Sequence, residues 1–137
     1  MAIQQRVKQN NRIHIHCTTM NCGGRAPDGI AELLPIFELE DDYFEPDVYV
    51  VGLQEMVPLN AKNCLLKDTK RLELWRTMLV EALEVCRAKR ISKKGHRFSD
   101  DEMFEEALVY LDRSMVGCYI AVFFKRKLAG RLKPKSL

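Results

Sequence analysis

An α/β fold follows from three observations on this 137-residue chain. Val48-Tyr49-Val50-Val51-Gly52 is a β-branched and aromatic run without helical period, set between Pro46 and the polar pair Gln54-Glu55. A continuous apolar run of that kind reads as a strand covered on both faces, inside a layered sheet. Val116 to Phe124 is a second such run. Between them Leu72, Trp75, Leu79, Ala82, Leu83 and Cys86 recur at three and four, which predicts one long helix over Thr69 to Arg90 with a single apolar stripe. Trp75 lies on that stripe and belongs to the core.

The other elements follow in chain order. Residues 1–11 are polar and form a loose N-terminal segment. Arg12 to Thr18 alternates, which predicts a strand burying Ile13, Ile15 and Cys17 and exposing Arg12, His14 and His16. Arg25 to Gly29 is turn chemistry, and Ile30 to Leu39 is a short helix broken near Pro35. Asp68 or Thr69 caps the long helix, and Arg87, Lys89 and Arg90 suit the negative end of its dipole. Ile91 to Ser99 reads as an exposed basic loop, and Asp100 to Glu106 as a helical turn. Ala107 to Asp112 is a strand, joined to the second apolar run by a tight turn at Arg113-Ser114. No repeat and no internal domain boundary interrupts the pattern.

Composition narrows the function. Hydrophobic content of 47% and charged content of 30% are those of an ordinary globular protein. No apolar run reaches the length of a membrane span, and Met1 to Asn10 lacks the apolar core of a signal peptide, so the cytoplasm is the expected compartment. A net charge of +3 is too small to imply nucleic acid. Residues 129–137 form a basic tail, and Lys125 to Lys135 holds six basic residues and no acidic one. It is either a solvated tail or a contact for anionic headgroups at the membrane surface. Five cysteines without a C-x-x-C spacing support neither a disulfide framework nor a zinc site, and reduced, mostly buried thiols are expected.

The chemistry-bearing residues gather around the first apolar run. Glu55 sits at the rim of a buried strand, where a carboxylate is held rigidly and faces a ligand crevice. Asn60, Lys62 and Asn63 follow in a loop whose amides and ammonium can bind anions and sugar hydroxyls. Asn21, before Cys22-Gly23-Gly24, is by itself a turn residue. Three other groupings carry less. His14 and His16 share a strand face but have no third ligand. Glu38, Glu40, Asp41 and Asp42 lack a ligand rhythm and read as a solvated loop. His16-Cys17 with Arg25 imitates a cysteine-phosphatase loop, but closure needs the arginine at position 23, which is glycine.

Pro46 to Asn63, PDVYVVGLQEMVPLNAKN, resembles the signature PDIYVxGLQEMVxLNAxN of the inositol-polyphosphate 5-phosphatases, in the endonuclease/exonuclease/phosphatase superfamily. Thr18 to Gly24 is similar to that family's TWNVNG, with Met20 for the tryptophan and Gly23 for the second asparagine. Val116 to Phe124, with the residues that follow, resembles its SxxLVGxxLxVFVRxxL, with Arg126 and Leu128 at the closing positions. The resemblance implies an α-β-β-α sandwich of which residues 12–128 supply roughly the first half. It further implies a hydrolase that removes the 5-phosphate of a phosphoinositide or soluble inositol phosphate by magnesium-assisted water attack. Glu55 would bind Mg2+, Asn21 would assist at metal and phosphate, and Asn60, Lys62 and Asn63 would contact substrate.

The chain lacks the family's later motifs HLxAH, GDLNYR, WCDR and SDHxPV. The expectation is therefore a partial catalytic domain with one sheet face bare, open to dimerisation or to a complementary chain. The alternative is a non-catalytic remnant, or a module that binds phosphoinositide headgroups or such a chain. A nuclease of the same superfamily is disfavoured by the LNAKN tail and the mild charge.

Overall fold

The computed structural model describes residues 12–39, 45–57, 69–95, 99–115 and 117–131. They form one mixed sheet with the longest helix packed against one face. The strands are β1 (Ile15–Asn21), β2 (Val48–Gln54), β3 (Leu108–Met115) and β4 (Cys118–Lys125). The helices are α1 (Leu34–Phe37), α2 (Thr69–Lys94) and α3 (Asp100–Glu106), with short 3-10 turns at Ile30–Glu32 and Arg126–Leu128. The strand order is β1-β2-β4-β3: β1 runs parallel to β2, and β4 runs antiparallel to both of its neighbours. The apolar run at Val48 is thus a central strand, as its lack of alternation implies.

The core lies between the sheet and α2. Tyr49, Val51 and Leu53 of β2 and Tyr119, Ala121 and Phe123 of β4 point into it, opposite Trp75, Leu79, Ala82, Leu83 and Cys86. The helical stripe is buried as its spacing predicts, and Trp75 is fully enclosed. Phe37 of α1 closes one end through edge-to-face contacts with Tyr49 and Phe123, at centroid distances of 5.9 and 6.5 Å. On the edge strand, Arg76 of α2 donates to Asp112 at 2.8 Å, and the Tyr110 hydroxyl donates to the same oxygen at 2.9 Å.

Several expectations are corrected. Strand β1 begins three residues later than predicted, and its buried side is the opposite one. Ile15 and Cys17 face outward, Ile13 ahead of them is also exposed, and His16, Thr18 and Met20 are the half-buried residues. Alternation assigns residues to common faces but does not say which face meets the helix layer. His16 is accommodated there because Nε2 donates to the Ile36 carbonyl at 2.8 Å and its ring packs on Tyr49. The Ile30–Leu39 segment is divided at Leu33, near Pro35 as expected, but Pro35 itself sits in the first turn of α1, where a missing N–H costs nothing. The β3–β4 turn falls after Met115, with Gly117 at φ +70°, and Arg113-Ser114 is paired strand. Glycine supplies the left-handed conformation that a two-residue hairpin needs.

Helix α2 runs four residues past Arg90, and its arginines do not simply serve the dipole. Glu45 is buried against them, accepting from Arg87 at 2.6 Å and from Arg90 at 2.7 Å. Arg90 also donates to the Phe37 carbonyl and the Tyr49 hydroxyl, so its charge is buried with partners on every side. Lys125 is likewise buried, 3.2 Å from Asp47 and 2.9 Å from Glu106, and does not belong to a free basic tail. Lys127 pairs with Glu106 as well. Ser99 and Glu102 form a reciprocal capping box that starts α3. Cys22 and Cys86 are buried as expected, whereas Cys17 and Cys118 are exposed.

Candidate functional site at the carboxyl ends of β1 and β2

Parallel pairing brings the two principal sequence candidates together. Asn21 is the register partner of Gln54, so the end of β1 lies beside the residue before Glu55. Beyond the strands the pairing continues through irregular backbone. Cys22 N–H donates to the Gln54 carbonyl at 2.7 Å, and Gly24 N–H to the Glu55 carbonyl at 2.6 Å. On the other side, Met56 N–H donates to the Gly117 carbonyl at 3.1 Å, tying the site to the β3–β4 turn. Glu55 is therefore gripped from both neighbours.

Glu55 has a backbone φ of +49°, and no other described non-glycine residue has positive φ. A left-handed conformation strains a residue that carries a Cβ, and such strain concentrates at functional sites. The side chain is half-buried. Glycines 23 and 24, at φ +60° and +70°, let β1 turn back against it. Asn21 makes the turn that its sequence context predicts: its Oδ1 accepts from the Gly23 N–H at 2.9 Å. That bond leaves the side-chain NH2 and one Oδ1 lone pair for a ligand. Asn60, Lys62 and Asn63 lie outside the described residues.

Two residues at this end were not singled out from sequence. Arg71, in the first turn of α2, donates to the Gly24 carbonyl at 2.9 Å and reaches the Met56 carbonyl at 3.5 Å. It joins the loop after Asn21 to the loop after Glu55, a role with no signal in a charged helical turn. Cys22 is the second. Burial foremost, and then the nearby Glu32 carboxylate, push its thiol up to about 11. Burial of this kind makes a thiol a weak nucleophile at neutral pH.

The donor set suits a hard cation. One carboxylate and one amide oxygen are oxygen ligands of the kind that magnesium takes while keeping most of its waters. Among the described residues no three His, Cys, Asp or Glu side chains gather to form a cage. Glu55 would supply the charged ligand and Asn21 a neutral one.

Comparison with known proteins gives the family of the chain. The profile of endonuclease/exonuclease/phosphatase family 2 matches residues 18–133, most of the chain. The chain belongs to that family. Among its relatives are three proteins of Arabidopsis thaliana. Type IV inositol polyphosphate 5-phosphatase 3 is 35% identical over 64% of this chain and 13% of its own length. Type I inositol polyphosphate 5-phosphatase 1 is 35% identical over 61% of this chain and 14% of its own. Type IV inositol polyphosphate 5-phosphatase 9 is 27% identical over 83% of this chain and 27% of its own. The chain thus spans about an eighth to a quarter of the length of these relatives. Mixed sheet and helices agree with a part of the family's α/β fold.

Proposed function

We propose that this family member carries the metal and phosphate corner of an inositol-polyphosphate 5-phosphatase site. One observation carries the proposal: β1–β2 pairing sets Asn21 beside the Gln54-Glu55 end of β2, with Glu55 in a strained backbone conformation. Similarity to three inositol polyphosphate 5-phosphatases supports the substrate class. In this reading Glu55 binds Mg2+ and the Asn21 amide donates to a phosphate oxygen. Asn60, Lys62 and Asn63 contact the remaining phosphates or ring hydroxyls. A divalent ion bound here supplies charge that offsets the phosphate and steadies a leaving oxygen. The chain's own contribution is to hold one carboxylate and one amide at fixed spacing, so that neither has to reorganise.

The test is phosphate release from phosphatidylinositol 4,5-bisphosphate by the folded chain, with magnesium and with chelator, beside Glu55→Ala. Release that requires magnesium and is lost in the mutant supports the proposal. A folded chain that releases no phosphate refutes autonomous catalysis. The second reading, a non-catalytic headgroup-binding module, is favoured by the small donor set among the described residues. It requires binding that is indifferent to magnesium and to Glu55→Ala.

A further inference from the structure

At the carboxyl ends of β1 and β2, a side chain from the helix layer ties two backbone loops together. Arg71 is half-buried in the first turn of α2, and its Nη1 donates to the Gly24 carbonyl at 2.9 Å and to the Met56 carbonyl at 3.5 Å. Gly24 N–H in turn donates to the Glu55 carbonyl at 2.6 Å, and Met56 N–H to the Gly117 carbonyl at 3.1 Å. Arg71 therefore holds the residue bonded to Glu55 and the residue that follows it, one on each side of the carboxylate. Glu55 has the φ of +49° that a side chain rarely adopts. Such a conformation persists only where the surrounding bonds over-determine it. Cys22 and Met56 also pack into the core, but apolar contact is non-directional. Hydrogen bonds from one nitrogen to two carbonyls set a spacing and an angle.

From these bonds we infer that Arg71 is a positioning residue for the Glu55 corner and couples it to α2, so that a divalent cation held by Glu55 and Asn21 steadies the first turn of the helix as well. This coupling rests on the cation-binding reading of Glu55 and Asn21, and adds to it an element that holds neither donor. Charge gives the inference a sign. A guanidinium is positive at any working pH, and a positive group beside a cation site repels the cation. Arg71 can favour a cation there only by geometry, by keeping the two loops and the carboxylate in place. Outer groups that orient a metal ligand typically contribute about 10–100-fold to metal affinity. Linkage makes the coupling reciprocal: what the clamp does for the cation, the cation does for the clamp. The effect is therefore readable from either end.

The experiment uses the full chain and two readouts. Mn2+ affinity is measured by NMR relaxation for the wild type, Arg71→Met and Arg71→Lys, each with unchanged circular dichroism. Arg71→Met is expected to bind about tenfold more weakly. Arg71→Lys, which keeps the charge and can still donate to a carbonyl, is expected to fall between the two. Hydrogen exchange of the wild type is then followed with Mg2+ and with chelator. Mg2+ is expected to slow exchange at 22–24, at 55–57 and at the amides of 73–76, which close the first turn of α2. Residues 84–93 of the same helix should not change. If neither variant folds, the wild-type exchange decides. Arg71→Met that binds Mn2+ as tightly as the wild type, or more tightly as charge repulsion alone requires, overturns the inference and leaves the reading of the corner standing. Protection of the two loops without 73–76 overturns it too. So does protection spread evenly to 84–93, which is global stabilisation and not local coupling. A wild-type chain that binds no Mn2+ overturns the cation reading itself, and the inference falls with it.

Discussion

Glu55 separates stability from function at a single position. Its φ of +49° is a conformation that glycine adopts without cost. Glu55→Gly is therefore expected to stabilise the fold by about 1 kcal/mol in urea denaturation while removing divalent-cation binding. Glu55→Ala keeps the strain and loses only the carboxylate, so its stability should stay near wild type. A fold equally stable with Gly and Ala would mean that position 55 carries no strain. Arg71 is expected to act through geometry rather than contact. Arg71→Met unties the Gly24 and Met56 loops, and Mn2+ titration followed by NMR relaxation should show weaker binding, with Glu55 still present. Unchanged Mn2+ affinity would reduce Arg71 to a structural contact.

At the scale of elements, α2 meets the rest of the fold through two unlike surfaces. Its apolar stripe is anchored by Trp75, fully buried against the sheet. Trp75→Ala is expected to cost about 3–5 kcal/mol through lost burial and the cavity left behind, measured as a fall in the urea midpoint. One turn past the end of the stripe the helix buries charge instead. Arg87 and Arg90 converge on Glu45, whose side chain is only 7% exposed. Removing the carboxylate leaves two guanidinium groups short of their counter-charge in the interior. Glu45→Ala should cost about 3–5 kcal/mol, far more than deleting an exposed pair. A loss below about 1 kcal/mol would show that the cluster is solvated in solution.

Across the whole molecule, a second ionic cluster gives folding a pH dependence. Lys125 of β4 bridges Asp47, just before β2, and Glu106 at the end of α3. Burial works to raise both carboxyls. At Asp47 the His14 N–H and Lys125 outweigh it, and at Glu106 the Lys127 and Lys125 ammonium groups do, so both stay below the usual range. A depressed folded-state value means that the unfolded chain binds protons first. The stabilisation is complete above the ordinary carboxyl range near pH 4 and is lost as pH falls through the lower folded values. Urea midpoints measured between about pH 6 and pH 2.5 should fall along this limb. Lys125→Met should flatten the limb and lower stability at pH 6. An unchanged acid limb would exclude the cluster as its source.

Sequence alone settled whatever depends on local chemistry. The central strand at Val48, the buried stripe of α2, the turn at Asn21 and the family signature across Glu55 are all written in neighbouring residues. Their causes are short-range: β-branching, helical period and side-chain capping act within a few positions. Tertiary structure decided whatever depends on what lies opposite. Ile15 and Cys17 alternate with His16 and Thr18 as a half-buried strand must, yet which set is covered depends on the side where α2 docks. The fate of Arg90, Lys125 and Glu45 was equally hidden, because a charge becomes core only when distant partners meet it there. Asn21 and Glu55 are 34 positions apart and become one corner only through the register of two parallel strands. Local propensity specifies elements, whereas long-range packing specifies which of their faces turn inward.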